Sequence, residues 1–195
     1  MLSEQPDENA LRLLEGLAAA IAEKGYAATT IADIVRHAHV SKRTFYQHFA
    51  DKEACFLASY RAVTERLMTT IAAAVDPNTP WQEQLHAAAR AYLHLLEENP
   101  ALTRTFLVEI HAAGPKALEL RREVHQRFAE LLRGLVNLGR KKHPEIRPLS
   151  ASMATALVGG INELVLVAVE GGGRLRELER TATELLTSVL LSSRS

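Results

Sequence analysis

The chain has 195 residues with 23 basic and 23 acidic side chains, so its formal net charge is zero. That length is ample for a core without disulfide or metal staples; a hydrophobic share of 47% against 24% charged residues excludes a disordered chain. Zero net charge also excludes a histone-like protein that coats nucleic acid by bulk charge, while leaving room for a local basic surface.

Residues 1–9 are acidic and polar, with no apolar run of the signal-peptide kind, and the single cysteine, Cys55, has no intramolecular partner; a cytoplasmic location is expected. Apolar residues recur at helical spacing throughout and never alternate with polar ones over a useful length, which predicts an all-α fold of nine helices and no sheet.

The first helix is expected over Glu8 to Lys24, with Leu11, Leu14, Ala18 and Ile21 as its apolar stripe and Gly25 as its stop. Thr29 and Thr30 offer N-caps for a short helix carrying Ile31, Ile34, Val35 and Ala38. A turn through His39 and Val40 follows. Ser41 can cap a third helix of about two turns, in which Phe45 and Phe49 share one face. Asp51 can cap a fourth, carrying Phe56, Tyr60, Val63, Leu67 and Ile71, which runs to Asp76-Pro77.

The stretch from Asp76 to Pro80 is the clearest loop. Smoother amphipathic segments are expected beyond it: Trp81 to Glu98, Ala101 to Ala113, Lys116 to Lys142, Ser150 to Glu170, and Leu175 to Leu191 with a frayed serine tail. The apolar run Met153 to Val169 is interrupted by Thr155, Gly159, Gly160, Asn162 and Glu163, and reads as a buried helix short of a membrane span.

Two short helices joined by a tight turn and braced by a longer one form a tri-helical helix-turn-helix, whose last helix enters the DNA major groove. In the third helix Lys42, Arg43, Tyr46 and Gln47 lie opposite Phe45 and Phe49. Arg or Lys can donate to guanine, Gln can pair with adenine, and a Tyr hydroxyl suits a phosphate oxygen. Thr29 or Thr30 and Lys52, at helix starts, are placed for phosphates. From Ile31 to Phe49, Arg36, Lys42 and Arg43 face only Asp33, so this segment is basic within a neutral chain.

The residues Thr29-Thr30-Ile31, Asp33-Ile34, the run from Val40 to Phe49, and Lys52-Glu53 together resemble the signature of TetR family transcriptional regulators over about residues 8 to 60. His39 departs from the pattern, standing where the family often has glycine. The resemblance implies a DNA-binding head over residues 1–55, with the helix from about 51 linking it to a helical effector-binding and dimerisation domain over 56–195. The DNA-facing set is then Thr29, Thr30, Lys42, Arg43, Thr44, Tyr46, Gln47, His48 and Lys52. It also implies a cytoplasmic homodimer on a palindromic operator, probed by two heads about one helical turn (~34–36 Å) apart. Its activity would be that of a repressor released by a small effector.

The last two helices carry stripes that suit a four-helix dimer interface, through Leu157, Ile161, Leu164, Leu178, Leu185 and Val189. Apolar stripes in the middle helices suit a hydrophobic effector, oriented by Tyr92, Phe106, Glu109, His125 and Asn162.

An enzyme is disfavoured. A di-iron bundle needs two Glu-x-x-His motifs and the chain has one, Glu83 to His86; there is no Gly-x-Ser-x-Gly or His-Glu-x-x-His pattern. No metal, cofactor or membrane partner is therefore expected. The alternative is a helical DNA- or partner-binding protein without an effector, using the stretch Lys116 to Arg147, where nine basic residues face four acidic ones. Cys55, beside Ala54, Phe56 and Leu57, reads as a buried thiol rather than a redox sensor.

Overall fold

The computed structural model describes residues 7–191; the first six residues and the serine tail lie outside the described residues. Among the described residues there are nine α-helices: α1 (Glu8–Ala28), α2 (Ile31–Ala38), α3 (Lys42–His48), α4 (Lys52–Ala74), α5 (Trp81–Glu98), α6 (Pro100–Leu107), α7 (Pro115–Gly139), α8 (Ala151–Glu170) and α9 (Glu179–Leu190). Short 3₁₀ turns, Glu109–Ala113 and Leu175–Leu178, precede α7 and α9. The all-α expectation holds, and the stretch 101–113 divides into a helix and a tighter turn.

The chain forms two compact units. The first runs through Val63 and takes in Ala101–Leu120; the second is Thr64–Pro100 together with the chain from Arg121 onward.

In the first unit, Asp7 caps α1 by accepting the Asn9 N–H at 2.9 Å. Gly25 interrupts the helix at φ 76, ψ 163, a conformation that glycine adopts without a Cβ clash. The buried stripe of α1 is Leu13, Leu17, Ala20 and Ile21, whereas Leu11, expected inside, is 44% exposed. The stripe is rotated because Gly16, which carries no apolar side chain to reveal it, is buried against α2. A Cβ there would lie 2.6 Å from the Ile34 carbonyl oxygen and 2.9 Å from Ala38 Cβ.

Helix α2 opens on a complete capping box: Asp33 donates its backbone N–H to Thr30 Oγ1 at 3.3 Å, and the Thr30 N–H donates to Asp33 Oδ2 at 2.8 Å. It ends at His39 in the left-handed region (φ 53, ψ 41), with the His39 and Val40 N–H groups returned to the last carbonyls of the helix. Ser41 Oγ accepts the Thr44 N–H at 3.0 Å, and Asp51 Oδ1 accepts the Ala54 N–H at 2.7 Å, so α3 and α4 start on the expected caps. An aromatic cluster fills the core of this unit: Tyr26 lies 4.7 Å from Phe56, and Phe106 lies 5.4 Å from Phe56 and stacks on Tyr60 at 4.6 Å.

The core of the second unit gathers Trp81, Leu85, Val136, Ile146, Leu157, Leu186 and Leu190. Trp81 packs flat on Gly139, where a Cβ would meet the indole at 2.5 Å. On α9 the buried face is Ala182, Thr183, Leu186 and Leu190. On α8 only Ala154, Leu157 and Val165 are buried, and Val167 is 59% exposed. The helix expected to be buried is thus mostly uncovered within the single chain. With one charged residue before its final Glu170, α8 also reaches the length and mean hydropathy (1.7) of a membrane-crossing segment, because small residues such as Gly159 and Gly160 lower hydropathy little.

Candidate nucleic-acid interface and apolar cavity

Helix α3 is fixed from beneath by Phe45, which is fully buried and lies 5.8 Å from Phe49. Lys42, Arg43, Tyr46 and Gln47 are all exposed on the opposite side, Tyr46 at 58%. A large aromatic held out in water on a seven-residue helix, between two cations and a glutamine, is a face shaped for a partner. Thr44 is half-buried, with its hydroxyl 2.9 Å from Ser41 Oγ, and Thr30 is exposed with its hydroxyl donating to Asp33 Oδ2 at 2.5 Å.

Three residues of the expected DNA-facing set are engaged inward. Thr29 is 2% exposed, and its hydroxyl donates to the Gly25 carbonyl at 2.7 Å; it closes the α1–α2 turn from inside. Lys52 Nζ donates to the carbonyls of Tyr26 at 2.9 Å and Thr29 at 2.8 Å and lies 4.4 Å from the Tyr26 ring centroid. Burial lowers its pKa. His48 is half-buried, its Nε2 3.6 Å from the Asp7 carboxylate.

Two supports were not visible in the sequence. Arg12 Nη2 donates to the His39 carbonyl at 3.3 Å, bracing the left-handed turn between α2 and α3. Glu109 accepts the Tyr26 backbone N–H at 3.2 Å and lies beside Gly25, whose φ of 76 is what favours glycine there. The Asp33 carboxyl is held far below its ordinary range by the Lys24 ammonium at 2.6 Å, followed by the Thr30 hydroxyl and N–H. Burial pushes the Cys55 thiol up to about 12, so it is protonated and enclosed.

The second unit contains an apolar cavity that is open in part to solvent. Its walls are almost wholly apolar, with Ile71, Leu93, Phe128, Leu132, Leu135 and Ile161 among them. Tyr92 and Asn162 also line it, and they satisfy one another: the Tyr92 hydroxyl donates to Asn162 Oδ1 at 3.0 Å, and Asn162 Nδ2 donates to the Val158 carbonyl at 3.0 Å. Phe106 and Glu109, expected beside an effector, belong instead to the first unit, where Phe106 packs on Phe56 and Tyr60. His125 is half-buried on α7 and is not among the lining residues; burial, then the charge of Arg121, lowers its pKa from 6.5.

Of the residues expected at a dimer interface, Leu157 lies in the core of its own chain. Ile161, Leu164, Leu178, Leu185 and Val189 are half-buried; Ile161 lines the cavity, and Leu185 and Val189 pack against the core of their own chain.

The sequence model described as bacterial regulatory proteins, tetR family, matches residues 13–59, and a tetracyclin repressor-like C-terminal domain matches residues 78–189. The HTH-type transcriptional activator FasR of Mycolicibacterium smegmatis is 29% identical over 93 residues, 48% of this chain and 42% of that protein. The chain thus spans about half the length, or less, of the curated relatives it matches. Among solved structures, FadR from Bacillus subtilis in complex with stearoyl-CoA has a TM-score of 0.78 at 19% identity, covering 92% of this chain and 98% of that one. The fatty acid degradation regulator FadR from Bacillus halodurans has a TM-score of 0.81 at 20% identity, covering 94% and 96%. With the C-terminal domain alone matching more than half of its residues and the helix-turn-helix matched in front of it, the chain belongs to the tetR family of bacterial regulatory proteins.

Proposed function

We propose that the protein is a cytoplasmic, homodimeric transcriptional regulator that reads a palindromic operator through Lys42, Arg43, Tyr46 and Gln47 of α3. The observation that carries this reading is the anchored α3 itself: Phe45 buried beneath, and a basic, amide-bearing face exposed above it. Thr30 and Thr44, at the starts of α2 and α3, approach the phosphates that fix the head on the duplex. The exposed apolar residues of α8, Met153 and Val167, together with the half-buried Leu178, Leu185 and Val189, support pairing with a second chain. Two heads related by a two-fold axis meet half-sites about one turn (~34–36 Å) apart.

The cavity supports an apolar effector, because its two polar lining groups are already hydrogen-bonded to each other. A long-chain acyl compound fits this chemistry, and the stearoyl-CoA complex of the similar FadR fold supports the same class. Release from DNA then follows as a population shift. An effector that binds better to a subunit arrangement whose heads miss one half-site lowers operator affinity by that difference. Helices α4 and α7, each with residues in both units, are the natural levers.

The test is footprinting on DNA upstream of the protein's own and neighbouring genes, with sedimentation in parallel. A protected site with two-fold symmetry and a dimeric mass support the reading; a monomer at micromolar concentration with no protected site removes it. Addition of a long-chain acyl compound should clear the footprint of a repressor and strengthen that of an activator.

A further inference from the structure

One face of α7 carries the cavity wall and then changes character. Phe128, Leu132 and Leu135 line the cavity. Arg121 stands seven residues before Phe128 and eleven before Leu132, which at 3.6 residues per turn places it within roughly 20° of both, about 10 Å further along the helix axis from Phe128. His125 lies between them, half-buried.

Arg121 differs from the other half-buried arginines of this unit, Arg127, Arg133 and Arg140, in having nothing to hold. Arg127 pairs with Glu65 at 2.5 Å, Arg66 with Glu98 at 2.8 Å and Arg90 with Glu179 at 3.0 Å. Arg133 and Arg140 donate to the carbonyls of Leu149 and Ile146. Arg121 has neither ion pair nor hydrogen bond among the described residues, and its Nε is buried without an acceptor. A guanidinium is a rigid fork of five donors shaped for an oxyanion, and a buried donor left unmade opposes folding. Beside it, burial and the Arg121 charge keep His125 neutral, so its ring can supply one N–H without adding a second charge.

We propose that Arg121, assisted by His125, seats the anionic head of an amphipathic ligand whose hydrocarbon tail fills the cavity. The shared chemistry is an oxyanion at the end of a long apolar chain, either a carboxylate of a free acid or a phosphate of an activated acyl carrier. The inference rests on the apolar-effector reading of the same cavity and adds to it the polarity and direction of the ligand.

The experiment measures binding of dodecanoate, lauroyl-CoA and dodecanol to the full chain by calorimetry, below micellar concentrations, for the wild type, Arg121→Met and Arg121→Lys. Thermal unfolding checks that each variant folds. Arg121→Met keeps the apolar stem and removes the fork. It should weaken at least one anionic ligand about tenfold to a hundredfold while leaving dodecanol within about twofold. Arg121→Lys should fall between, as a point charge without the fork. Loss confined to lauroyl-CoA assigns the seat to phosphate, and loss of dodecanoate assigns it to carboxylate. Unchanged affinity of both anionic ligands, with dodecanol still bound, overturns the seat and leaves the cavity reading standing. Failure of all three compounds to bind the wild type overturns both.

Discussion

The Glu109 carboxylate accepts the backbone N–H of Tyr26, 83 residues away in the chain, at 3.2 Å. It does so at the kink where Gly25 ends the main run of α1, so a residue in the turn before α7 completes the hydrogen bonding of the reading head. Glu109→Ala leaves a partly buried amide without an acceptor, at a cost of about 1 kcal/mol given its remaining access to water. Hydrogen exchange should accelerate at Tyr26 in this variant and return toward the wild-type rate in Glu109→Gln, which keeps an acceptor oxygen. Unchanged exchange in Glu109→Ala would remove the tether.

Lys52 holds the same turn from the other side. Its ammonium bonds the Tyr26 and Thr29 carbonyls, so Lys52→Met should lower stability by about 1–3 kcal/mol in urea denaturation. Had Lys52 served mainly as a phosphate contact, its removal would reduce the salt slope of DNA binding by about one and leave unfolding untouched. The inward geometry predicts the opposite ranking.

Gly16→Ala sets two effects against each other. Alanine is favoured over glycine inside a helix by about 1 kcal/mol. Its methyl would sit 2.6 Å from the Ile34 carbonyl oxygen, against backbone that cannot swing aside, and overpacking of this kind costs about 1–3 kcal/mol. The clash should win, and the variant should melt below the wild type; a higher melting temperature would show that α1 and α2 can slide apart.

Asp33 gives the head an acid-sensitive clasp. Its carboxyl titrates in the fold well below the ordinary value of 3.8, so the unfolded chain takes up the proton first as pH falls. The stabilisation is complete above about pH 4 and is lost progressively below it. Asp33→Asn should therefore be less stable than the wild type at neutral pH, and the difference should shrink as pH falls below about 4. Denaturation series at several pH values check this, and a gap that stays constant down to pH 2 would contradict it.

Local features of the head could be read from the residues because each is decided by its neighbours in sequence. Thr30 with Asp33 three places on spells a capping box, Gly25 marks a stop, and Phe45 with Phe49 opposite Lys42 and Arg43 defines which side of α3 turns inward. His39 stands where the resembled family often has glycine, and its φ of 53 shows that the turn keeps the left-handed conformation with a histidine in it. What escaped reading depends on distant partners. The α1 stripe hinges on Gly16, invisible to an apolar pattern but decisive once Ile34 lies against it. A lysine at a helix start suggests phosphate until three carbonyls of another loop close around it. Glu109 and Phe106 follow an effector-like pattern, yet Ala101–Leu120 returns to the first unit, and nothing local in those residues encodes the return. The cavity is half legible: Tyr92 and Asn162 stand out in the sequence, whereas their mutual hydrogen bond, which makes the cavity more apolar than its composition suggests, arises only when α5 packs beside α8.

The central claim is that α3 reads DNA sequence. Its most direct measurement is the affinity of the wild type, Arg43→Ala and Gln47→Ala for the footprinted operator and for single-base variants of each half-site, at fixed salt. Each alanine variant should lose about 1–3 kcal/mol of discrimination at one base-pair position, repeated symmetrically in both half-sites, with non-specific binding little altered. Undiminished base preference in both variants would contradict the claim.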